Sequence, residues 1–330
     1  MTKGRAEKLG PTARRAEFLS TLLTTARSQR ASRMMAGVVE LRVPGVGSLT
    51  GRIAELRSRL GADVFQKVAG DEGPNRRKRI HSAPGPRWFA PDRPIRRVHG
   101  DASMFVGGLR ALLLQSLHPL AMAGVAGHSG YRGDPWGRLA RTSYFLAATT
   151  FGPDEEARET IERIKSVHAR VRGRAPDGRA YSAGDPHLLE WVHIAEIDSF
   201  LRAHQRYGSR PLDQAGCDGY VADTARIARE LGVLDPPETE AALAERIAAF
   251  RPELAGTPEA RATARFLLLD PPLALAARAP YALLAAAAVE LLPPWARAPL
   301  RLPHLPVIGP TLVRGGGQVV TMGIRWVMSG

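Results

Sequence analysis

The chain has 330 residues and one cysteine, Cys217. A single cysteine excludes an intramolecular disulfide and any Cys-cluster zinc or iron–sulfur centre. It fits a reducing compartment, so a cytoplasmic location is expected. Asp218 follows Cys217, and its carboxylate disfavours a reactive thiolate. Long hydrophobic runs are also lacking. The nearest approach, Phe266–Leu292, is interrupted by Asp270-Pro271-Pro272, Arg278 and Pro280, which argues against a spanning helix. Extended to Trp295, the segment fits a buried helix pair, a dimer face or a substrate entrance beside a membrane. Met1–Gly10 has no apolar run, so no secretory signal is expected. Arg14-Arg15-Ala16-Glu17-Phe18-Leu19 echoes a twin-arginine signal, but Ser20–Arg30 is too polar to complete one. No Gly-x-Ser-x-Gly elbow, Walker loop, Rossmann fingerprint or His-Glu-x-x-His pair occurs.

What is present is basic, but unevenly so. The formal net charge is +14. Residues 1–100 carry 21 Lys and Arg against 8 Asp and Glu, whereas residues 101–330 carry 25 against 24. The basicity belongs to the first hundred residues, and the remainder has no nucleic-acid footprint. Residues 1–54 form a basic, weakly structured extension, and residues 55–330 a helical domain. Within the extension a helix is expected over Ala13–Met35, and Val38–Leu49 is left as strand or loop. Ile53, Leu56, Leu60 and Val64 recur at helical spacing within Gly51–Val68. Gly70–Pro94 reads as a loop, and its Arg76-Arg77-Lys78-Arg79 run as a solvated stretch or an electrostatic contact with nucleic acid or an anionic membrane surface.

From Asp101 onward the pattern is helix after helix, with sparse strand alternation. Ala102–Ser116 is apolar except for Arg110, which suggests a buried helix, and Pro119 restarts it. Further helices are expected at Trp136–Phe151, Pro153–Val171, Asp185–Tyr207, Asp218–Leu231, Glu238–Phe250, Pro258–Leu269 and Tyr281–Leu291. Gly315-Gly316-Gly317 reads as a flexible turn. The class is all-α, a multi-helix bundle.

Seven of the nine histidines fall between residues 99 and 204. His168 shares an inward stripe with Ile161, Ile164 and Val171, so its imidazole must be hydrogen-bonded or bind something. A satisfied core histidine and a metal or haem ligand both meet that requirement. Arg138 and Thr142 lie one helical step apart and can hold an anion; a surface arginine and a back-bonded threonine fit equally. Arg141 is beside them. Glu190 and His193 form a Glu-x-x-His step of the kind used in di-iron bundles, but no second copy appears. His118 and His128 flank Gly124 and Gly127, where a backbone can approach a ligand closely or simply turn.

Several blocks resemble one family. They are Arg97-Val98-His99-Gly100-Asp101, the run Arg110 to Pro119, Gly124-Val125-Ala126-Gly127-His128-Ser129, and Pro135-Trp136-Gly137-Arg138-Leu139-Ala140-Arg141-Thr142. Val167 to Gly173, Tyr181 to Pro186, and Leu189-Glu190-Trp191-Val192-His193 follow in the same order. They resemble the oxygenase MpaB and rubber oxygenase (latex clearing protein) catalytic-domain family over roughly residues 55–325.

The resemblance implies a globin-like core holding haem b, with its iron on His168, and with Arg138, Arg141 and Thr142 on the opposing side. Arg141 replaces the lysine of the rubber-oxygenase branch. That branch also carries a glutamate base before the arginine helix. Here no Asp or Glu lies between Asp101 and Asp134, and His118 and His128 are the substitutes. The implied partners are dioxygen and a small or chain-like apolar substrate, saturated or unsaturated. A homodimer and a peripheral membrane contact stay open. Two other readings remain: a non-haem metal oxygenase using Glu190 and His193, and a binding protein with a basic N-terminal arm.

Overall fold

A computed structural model describes residues 46–128, 133–303 and 308–329. The expected helix Ala13–Met35 and most of Val38–Leu49 lie outside them. By its internal contacts the chain divides into Met1–Glu55 and Leu56–Gly330, and the fold below is that of the second unit.

The described residues form fourteen helices and one two-stranded antiparallel sheet, an all-α architecture. In chain order the helices begin with α1 (Val46–Ala69), α2 (Gly73–His81), α3 (Pro94–His99), α4 (Met104–Gln115), α5 (Pro119–His128), α6 (Pro135–Phe151) and α7 (Asp154–His168). The hairpin β1 (Arg172–Arg174) and β2 (Ala180–Ser182) comes next. It is followed by α8 (Pro186–Tyr207), α9 (Gln214–Leu231), α10 (Glu240–Phe250), a 3-10 turn at Arg251–Glu253, α11 (Pro258–Leu269), α12 (Leu275–Leu291), α13 (Pro294–Arg297) and α14 (Ile308–Met328).

The central pair is α4 against α8. Leu113, Leu114 and Leu117 join Trp191, Ile194, Phe200 and Leu201 in one buried cluster. Val106 and Leu109 join Ala203, Tyr207 and the α12 alanines 285, 287 and 288 in a second. Gly107 permits the close approach, because a Cβ there would stand 3.1 Å from the Phe200 Cα and from the Ser199 carbonyl oxygen. Arg110, the one charge in α4, is buried with its partner. Its Nη2 lies 2.7 Å from Asp198 Oδ2, Nη1 donates to Ser199 Oγ at 2.6 Å, and Nε donates to the Leu291 carbonyl at 3.0 Å. Pro119 does restart the chain: α4 and α5 meet at 108°. At the first position of a helix its missing N–H costs nothing. No single described helix is long and apolar enough to cross a membrane.

Three expectations are corrected. Gly70–Pro94 is not all loop, since α2 carries the Arg76–Arg79 run. Pro74 opens it, Ile80 is buried, and the Arg76 and Arg79 guanidiniums lie over the Tyr144 ring at 4.9 and 5.6 Å. Tertiary contact with α6 thus supplies the stability that the local sequence lacks. Gly315-Gly316-Gly317 is not a turn but part of α14. A Cβ on Gly317 would stand 2.5 Å from the Tyr207 ring, so the glycine is there for packing. The helix expected from Tyr281 begins at Leu275 and contains Pro280. Cys217 is inert as expected, although burial is the first cause of its raised thiol pKa.

Candidate active site

Helices α6 and α7 are joined by Gly152-Pro153 and pack on each other. Asp134 caps α6 by accepting from the Gly137 N–H at 2.8 Å, and Pro135 takes the first helical position. Asp154, Glu155 and Glu156 complement the positive end of α7. From Arg138 to the connection is about 20 Å of helix, and from the connection to His168 about as much again. Arg138, Arg141 and Thr142 lie in the first half of α6, and His168 lies at the C-terminal end of α7.

His168 is the last residue of α7 and is half-buried. Among the described residues its ring makes no hydrogen bond. Burial lowers its pKa, so the imidazole is neutral and its lone pair available. Arg138 is half-buried on α6, while Arg141 and Thr142 are exposed. Arg141 Nη1 lies 3.3 Å from Asp134 Oδ2. Two apolar side chains beside these residues are also uncovered: Leu139 is 37% exposed and Val167 44%.

The other expected residues are placed elsewhere. His128 ends α5, exposed, with Nδ1 3.4 Å from the Tyr181 hydroxyl. Gly124 and Gly127 do permit close approach, but what approaches is the Tyr181 ring from β2. His118 is buried at the α4–α5 joint, with Nε2 3.3 Å from Glu253 Oε2. Glu253 also meets His187, with Oε1 and Oε2 at 3.0 and 2.9 Å from Nε2. Neither His187 nor Glu253 was singled out from the sequence. Their separations of 69 and 66 residues along the chain carry no local signal.

The interior of α8 holds two further groups. His193 Nε2 is buried and unpaired among the described residues, and burial lowers its pKa to about 4. Glu196, one turn on, has its carboxyl pushed up to about 7 by burial. Glu190 does not pair with His193 around a third ligand; its Oε1 lies 3.2 Å from Arg246 Nε. Two other histidines hydrogen-bond within the fold, although His204 Nδ1 is buried without a partner among the described residues. His99 lies 2.8 Å from Thr150 Oγ1 and 3.3 Å from the Tyr220 hydroxyl, and His204 Nε2 lies 3.1 Å from the Arg210 carbonyl.

Residues 96–322 match the family described as ER-bound oxygenase mpaB/B'/Rubber oxygenase, catalytic domain. The chain belongs to this family. No curated protein and no solved structure matches it. The match spans α4 to α13 and most of α14, so α6, α7 and the α8 interior all lie inside the oxygenase domain.

Proposed function

We propose that the protein is a haem b-dependent oxygenase with His168 as the iron ligand. The observation that carries this reading is a half-buried histidine at the C-terminal end of α7, its pKa lowered by burial and its ring without a hydrogen-bond partner among the described residues, on the helix that packs against the one bearing Arg138 and Thr142. An axial imidazole needs that free lone pair, so the residues fit the group. Leu139 and Val167 offer apolar cover for a macrocycle. Arg138 and Arg141 offer cations for its carboxylates.

The bound haem would supply the dioxygen and redox chemistry. The chain orients and polarises. Arg138 and the Thr142 hydroxyl would supply a cation and a donor to stabilise negative charge on bound dioxygen. His128, which precedes α6 in the chain, is the proton acceptor, and the Tyr181 hydroxyl at 3.4 Å steadies its ring. The substrate is a small or chain-like apolar molecule, as the resemblance to the rubber-oxygenase branch implies. The alternative with Glu190 and His193 on a non-haem metal loses support from the Glu190–Arg246 ion pair.

An absorption spectrum with a pyridine haemochrome on the purified protein tests the reading. A Soret band that disappears in His168→Ala is expected. No Soret band after haem is supplied during expression would sink it.

A further inference from the structure

His118, His187 and Glu253 come from three separate parts of the fold: the α4–α5 joint, the first turn of α8 and the 3-10 turn after α10. Their ligand atoms nevertheless lie within 4.8 Å of one another. The two imidazole Nε2 atoms face one carboxylate at 2.9–3.3 Å. Donors bonded to one zinc-sized ion at about 2.0–2.2 Å stand about 2.9–3.4 Å apart at octahedral to tetrahedral angles. The separations of both nitrogens from the carboxylate fall in that range, and all three ligand atoms lie within 4.8 Å of one another.

The cluster is also held in place. His118 is almost wholly buried, and its Nδ1 accepts from the Ala121 N–H at 3.4 Å. The His187 ring stacks on Phe250, with centroids 4.5 Å apart and planes at 21°. Asp185 caps α8 by accepting from the His187 N–H at 2.9 Å. Arg179, the nearby cation, is already engaged by Asp177 at 2.7 Å. The site opens outward, since the His187 and Glu253 side chains are 50% and 42% exposed. An ion can therefore enter, and water can complete its shell.

We propose that His118, His187 and Glu253 form a binding site for a first-row divalent transition ion of the zinc class, distinct from the His168 end. Two imidazoles and one carboxylate suit zinc, iron(II), cobalt or nickel, whereas magnesium and calcium prefer oxygen ligands. Coordination through His118 Nε2 moves the ring proton to Nδ1 and opens the long Ala121 contact. The ion pins the 3-10 turn and the start of α8 to the α4–α5 joint. The proposal stands whether or not His168 carries haem.

The test is calorimetric titration of the full-length protein, freed of metal with a chelator, with zinc and then cobalt chloride. One equivalent is expected, with a higher melting temperature. Affinity should fall more than about tenfold in both His187→Ala and Glu253→Gln, since even outer-shell partners are worth that much. Magnesium should not bind. Both variants change half-exposed side chains, and circular dichroism verifies that they fold. His168→Ala should bind zinc unchanged, which separates this site from the haem reading. No binding, or binding that survives both His187→Ala and Glu253→Gln, overturns the proposal.

Discussion

Replacing Arg110 by methionine tests the central clamp of the fold. The change keeps an apolar stem of similar length but removes the cation and three contacts: Asp198 at 2.7 Å, Ser199 Oγ at 2.6 Å and the Leu291 carbonyl at 3.0 Å. Ser199 retains its bond to the Ala195 carbonyl at 2.6 Å, and Asp198 retains Arg202 Nε at 3.1 Å. The Leu291 carbonyl loses this partner, and one face of the buried Asp198 carboxylate is left uncompensated. Breaking a buried pair by removing one member costs about 3–5 kcal/mol. Arg202 keeps the cost near the lower end. Unfolding entropy of about 2.1 cal/mol/K per residue, taken over Leu56–Gly330, converts 3 kcal/mol into a fall of about 5 °C in melting temperature. Urea unfolding and thermal circular dichroism read both quantities. Adding Asp198→Asn to Arg110→Met should recover part of the loss, because the stranded charge is gone. The reasoning fails if Arg110→Met lies within about 0.5 kcal/mol of the parent, or if the double variant costs the sum of the singles.

Gly107→Ala improves intrinsic helix propensity but places a Cβ 3.1 Å from backbone atoms of Phe200 and Ser199, which cannot rotate away. A net loss of about 1–3 kcal/mol is expected in urea unfolding, and a gain would contradict the α4–α8 packing. Glu196→Gln should show a pH signature. The folded carboxyl titrates near 7, above its unfolded value, so its contribution is intact at acid pH and is lost as pH rises through 7. The stability advantage of the variant should grow from about pH 5 to 8, and a pH-independent difference would refute this. His193 acts in the opposite sense. Its pKa is lowered to about 4, so its contribution is present above the free imidazole pKa and lost as pH falls from about 6.5 to 4. His193→Gln should flatten that acid limb.

The sequence by itself determined the all-α class, the ends of helices such as α6, α8 and α11, and the family. Those signals are local: apolar spacing in α7, Asp185-Pro186 opening α8, and Arg138 one helical step from Thr142 need no knowledge of neighbours. Tertiary structure decided what was wet, dry or paired. The basic run of α2 is a helix because Tyr144 lies beneath its arginines. Gly317 is helical because the Tyr207 ring fills the space beside it. The grouping of His118 with His187 and Glu253 depends on three chain segments converging, and no spacing rule encodes that. Propensity and periodicity act over a few residues, whereas burial and ion pairing depend on which distant surfaces meet.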